Sequence, residues 1–155
     1  MSTHKALLGG AIVLSLVAAA SGAAANGPGI LRIPLKPVNG SGQSGVAVLT
    51  PSAGGYTVVV KLRGRGVQLG EHDHIHKASC ARYARIAPHP RAPTASQINA
   101  QLATVAVSLN DIVDGASKTH VTEPLSQVTR GGFSINVHQP GDPYTALVCG
   151  DIPKR

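Results

Sequence analysis

Apolar and polar positions alternate along most of this chain in short runs, and glycine or proline interrupts nearly every run within ten residues. In "GVAVLT" (45–50) and "YTVVVKLRG" (56–64) every second residue is apolar or β-branched, and the intervening "PSAGG" supplies turn residues, so the pair reads as a β-hairpin. The same rhythm recurs in "ILRIPL" (30–35), "HDHIHK" (72–77), "ATVAVSLN" (103–110), "SKTHVT" (117–122), "GFSINVH" (132–138) and "TALVCG" (145–150), giving about eight strands. Helical periodicity never persists beyond about two turns. Only 96–102 and 109–115 predict a single turn each. The stretch 81–93, "ARYARIAPHPRAP", carries three prolines and three arginines and predicts a loop, of a length that is often functional. No repeat and no linker divides these runs, so the pattern predicts an all-β fold in one domain.

The first residues follow a different rule. A short basic head with Lys5, an uncharged apolar run from 6 to 20 and the small residues Ala23-Ala24-Ala25 read as a secretory leader, residues 1–25, which leaves 26–155 as the mature domain. The apolar run is shorter than the roughly 18 residues that cross a bilayer, so no stable membrane insertion is expected. Export changes the meaning of the only two cysteines, Cys80 and Cys149, which outside the cytoplasm are expected to form a disulfide; free buried thiols or metal-binding thiolates are the alternative. The formal charge is +7, yet the arginines are scattered and aromatic residues make up 3% of the chain. No nucleic-acid partner is therefore expected, and attraction of small anions or of an anionic envelope fits the charge better.

The chemistry concentrates in "GEHDHIHKASC", 70–80, where His72, His74 and His76 occupy alternate positions. On a strand such residues share a face with Cα atoms about 7 Å apart, so His74 and His76 can converge on one metal ion while Ile75 points into the core. His72 shares their face one step further out and is expected at its rim. His138 closes another alternating strand, and a sheet that sets this strand beside the first would add a third imidazole. Three neutral nitrogens suit copper or zinc, with copper highest in the affinity order. His120 is expected to face solvent.

In this order, H-I-H, a cysteine shortly after it, V-H and a final "ALVCGDI", the chain resembles the copper/zinc superoxide dismutase family from about residue 45 to 152. The resemblance implies an eight-stranded Greek-key β-barrel or sandwich, copper ligands at His74, His76 and His138, and a Cys80–Cys149 bridge. It also implies a further histidine ligand after the loop cysteine, for which His89 is the only counterpart, and a basic residue beside the metal. The family's arginine is replaced here by Ala146, so Arg82, Arg85 or Arg91 would have to serve. No histidine or acidic residue occurs from 90 to 110, so a zinc site of the family's kind is not expected and copper is the expected cofactor.

The resemblance thus implies an exported copper enzyme that disproportionates the superoxide anion, with His89 delivering a proton and Lys77, Arg82 and Arg85 attracting the anion. A protein on the same scaffold that binds copper ions without turnover, as an envelope buffer or carrier, is the alternative. A purely structural β domain is a third.

Overall fold

The computed structural model describes residues 29–86 and 93–155; the stretch 1–25 expected to be a leader, His89 and Arg91 lie outside them. Eight strands form: β1 (Leu31–Pro37), β2 (Gln43–Ser52), β3 (Gly55–Gly64), β4 (His72–His76), β5 (Val105–Ser108), β6 (Ala116–Val121), β7 (Phe133–Gln139) and β8 (Asp142–Ile152). All neighbours are antiparallel in the order β5-β4-β7-β8-β1-β2-β3-β6. The sheet curls until its edge strands nearly meet. Across that seam the Asn110 amide N–H donates to Thr119 Oγ1 (2.8 Å) and Asn110 Nδ2 to the Lys118 carbonyl (2.7 Å).

Period-two alternation puts Leu31, Ile33, Leu35, Leu49, Val58, Val60, Ile75, Ile135, Val137 and Val148 inside, where they form one continuous core. Each such side chain stabilises the fold by about 1.5–3 kcal/mol when fully buried. Two carboxylates share this interior. Glu71 Oε1 accepts from Gln43 Nε2 (2.7 Å) and the Gln68 amide (3.0 Å), and Asp73 Oδ2 accepts from Ser117 Oγ (2.7 Å). Burial pushes the Asp73 carboxyl up to about 7, with the Ser117 hydrogen bond opposing it.

Two predictions of local structure are corrected. The stretch predicted as a loop over 81–93 begins with a helix, α1 (Cys80–Ile86). Its prolines all lie beyond Ile86, its Ala and Arg residues favour helix, and its first N–H is satisfied by Asp151 Oδ1 at 2.7 Å, a cap from a distant strand. The single helical turn predicted over 109–115 is instead extended chain closing a tight turn: Val113 bridges Ala116, with Asp114 and Gly115 both at positive φ (51° and 74°). Asp-Gly is a strong hairpin signal, because both central residues of a type I′ turn need φ > 0. The turn predicted over 96–102 is borne out as α2 (Ala95–Leu102), which opens on a capping box of Thr94 and Gln97.

Helix α1 lies on the outer side of the sheet. The Cys80–Cys149 disulfide ties its first residue to β8, and Tyr83 packs with Ala78 and Ala146 in a small second cluster. Because the helix covers this patch, β7 is buried on both faces from Phe133 to His138. The histidines stand in that covered layer.

Candidate metal centre

Strands β4 and β7 position the three imidazoles. Their register sets His72 against His138, His74 against Asn136 and His76 against Ser134, so His138 lies diagonally across from His74 on the outer face. The ladder between β4 and β5 shifts register between Ile75 and His76, leaving Ala106 of β5 as the extra residue, while the β4–β7 ladder runs regularly through His76. One nitrogen from each of His74, His76 and His138 lies within 4.8 Å of the other two.

The ring centroids form a nearly equilateral triangle, with sides of 5.6, 5.3 and 5.5 Å. Its centre is about 3.2 Å from each centroid, the separation that results when an ion bonds one nitrogen of each ring at about 2.0–2.1 Å. The residues therefore fit a three-coordinate metal ion. Copper and zinc both accept imidazole, and the donor set alone does not choose between them.

Hydrogen bonding fixes one tautomer. The Thr104 hydroxyl donates to the Gln101 carbonyl (2.7 Å), so toward His76 Nδ1, 2.9 Å away, its oxygen can only accept. His76 then carries its proton on Nδ1 and directs a bare Nε2 at His138 Nε2, 3.3 Å distant. This is the ligand-ready form, held by a polar partner behind the ring. His74 Nδ1 and His138 Nδ1 are buried without a protein partner. Burial lowers all three imidazoles in pKa: His76 to about 3, His138 well below the ordinary value, and His74 in the same direction, with neighbouring histidines adding to each shift. They are neutral at physiological pH, and a neutral imidazole is what a metal ion binds.

Other expected site residues fall differently. His72 stands at the rim, half-exposed, with Nδ1 2.7 Å from Asp111 Oδ1. His120 faces solvent near Ser52. Arg82 and Arg85 are exposed on α1, as Lys77 is just before it. The residue that α1 presents to the histidines is Tyr83, whose ring centroid lies 4.6 Å from that of His76 and 5.8 Å from that of His138. Tyr83 is 3% exposed, its hydroxyl is buried without a partner, and burial, with Asp142 nearby, raises its pKa well above the ordinary phenol range. Ala146 is the cross-strand neighbour of His138.

Tyr83 and Thr104 are the site residues that sequence reasoning missed. For Thr104 no signal existed, because its role depends on α2 ending where it does. For Tyr83 a signal was available, since it is the one aromatic residue in 81–93 and lies three positions after the cysteine that anchors the helix. No family model matches the chain, and no curated protein does.

Proposed function

We propose that the chain is an exported copper-binding protein of the superoxide dismutase type, which disproportionates superoxide at an ion held by His74, His76 and His138. The observation that carries this reading is the triangle of three neutral, converging imidazoles on adjacent strands. The strand order, with connections crossing from β3 to β4 and from β6 to β7, supports a Greek-key barrel. The bridge from the helix after H-I-H to the last strand supports the same relationship. Copper bound there would supply one-electron exchange, oxidising one superoxide to dioxygen and reducing the next, with two protons, to hydrogen peroxide. The chain's own part is to hold the three rings neutral, to fix the His76 tautomer through Thr104 and to draw the anion in with Lys77, Arg82 and Arg85. His89 remains the proposed fourth ligand and proton donor.

A second reading is favoured by one specific observation. A neutral phenol, Tyr83, and a methyl group, Ala146, flank His76 and His138 where an anion-binding enzyme would want a cation. A site lined this way suits holding copper without turnover. Copper stoichiometry and dismutation measured on the same sample separate the two. One copper per chain with rapid, salt-sensitive dismutation is expected for the enzyme, and one copper with negligible activity would make the protein a carrier or buffer. Replacing His138 with alanine is expected to weaken copper at least tenfold; unchanged affinity would remove the site.

A further inference from the structure

The outer face of β1, β2, β3 and β6 carries five exposed cations, Arg32, Lys36, Lys61, Arg63 and Lys118, and these four strands contain no Asp or Glu at all. Among the described residues the only ion pair is His72–Asp111, on the other side of the barrel. The register sets Arg32, Val48, Val59 and Lys118 in one row across all four strands, with Lys61 opposite Val46 in the next row and Arg63 opposite Ser44 beyond it. The cations border a floor of half-buried valines. On this face Arg32, Val46, Lys61 and Arg63, with Gly45 and Leu62, line a shallow, open groove of ≈ 330 Å³. At position 45 a Cβ would meet the Lys61 carbonyl oxygen at 2.3 Å, so glycine there lets β2 and β3 approach closely beneath the groove.

We infer that this groove is a binding surface for a linear polymer bearing phosphate groups. Along β3 the cations stand about 7 Å apart, since every second residue faces outward, and β1 supplies a parallel line two strands away. An extended chain of anions can meet both lines at once, whereas a small anion would use only one or two of them. Two of the groove's three charges are guanidinium groups, whose planar fork matches two oxygens of one phosphate. The only aromatic residue on these strands, Tyr56, is fully buried, so bases have no stacking platform and charge along a backbone is what the face can read. This surface is independent of the histidine centre, which faces outward from β4 and β7.

The test is titration of the full mature chain with long-chain inorganic polyphosphate at several salt concentrations. Wild type is expected to bind, with log K falling linearly in log salt. The triple variant Arg32→Gln/Lys61→Gln/Arg63→Gln is expected to lose at least tenfold in affinity and to lower the salt slope by roughly two, at about 0.7 per lost contact. A control removing equal charge elsewhere, Arg130→Gln/Lys154→Gln/Arg155→Gln, should change affinity by less than about threefold. Copper binding and thermal midpoint should be the same in both, showing that the fold is intact. Failure of wild type to bind polyphosphate, equal losses in the two triples, or binding only to vesicles containing phosphatidylglycerol would each overturn the proposal.

Discussion

Asp73 is fully buried inside the barrel, where among the described residues Ser117 is its only side-chain hydrogen-bond partner. Its carboxyl rises from an ordinary 3.8 to about 7 in the fold. A carboxyl raised in this way is comfortable when protonated, below 3.8, and costs stability progressively as pH rises through 7, because the folded state resists losing a proton that the unfolded chain has already lost. Asp73→Asn mimics the protonated form at every pH. In metal-free protein it is expected to be near neutral at pH 4 and stabilising at pH 8, on the order of 2–4 kcal/mol, as read from denaturant midpoints; an equal effect at both pH values would mean that Asp73 titrates normally. At this scale the sequence made His74, His76 and His138 legible, because alternation on a strand converts spacing directly into a shared face. It concealed Asp73 and Glu71, which look like exposed strand residues until Ser117 and Gln43 come to meet them.

Among the elements, α1 depends most on things far from it in sequence. Its helix is capped by Asp151, bridged to Cys149 and seated on Ala146, all on β8, and that is why a proline-rich stretch read locally as loop. The strands were legible because each carries its own alternation. The Asp114-Gly115 turn was legible in principle, but the apolar residues on either side of it imitated a helical turn. The bridge closes a separation of 69 residues, worth about 4 kcal/mol in loop entropy. Reduction is therefore expected to lower the melting temperature and, by loosening α1, to let solvent reach Tyr83. A melting temperature unchanged by reductant would show that the bridge does not hold the helix in solution.

For the molecule as a whole, the buried imidazoles set the acid limit. The unfolded chain takes up protons on its histidines below about 6.5, whereas His76 stays neutral in the fold until about 3 and His138 resists similarly. Their stabilising effect is thus complete above 6.5 and is lost as pH falls toward 3, at about 1.4 kcal/mol per proton for each pH step of one. Asp73 offsets one of these protons. Metal-free protein is expected to lose on the order of 3 kcal/mol between pH 6 and 4, with bound copper deferring that loss to lower pH. Stability that stays flat over this range would show that the rings are hydrated.

His76 and His138 are 62 positions apart in the chain, yet their Nε2 atoms lie 3.3 Å apart. Before β7 docks beside β4, the His74–His76 pair lacks His138, a weaker grip than three converging rings. Full affinity therefore arises only in a chain that has completed the long-range β4–β7 pairing, and metal retention would serve as a record of finished folding. On the proposed reading, the metal would be acquired where the barrel closes, and a chain truncated before Phe133 is expected to retain none.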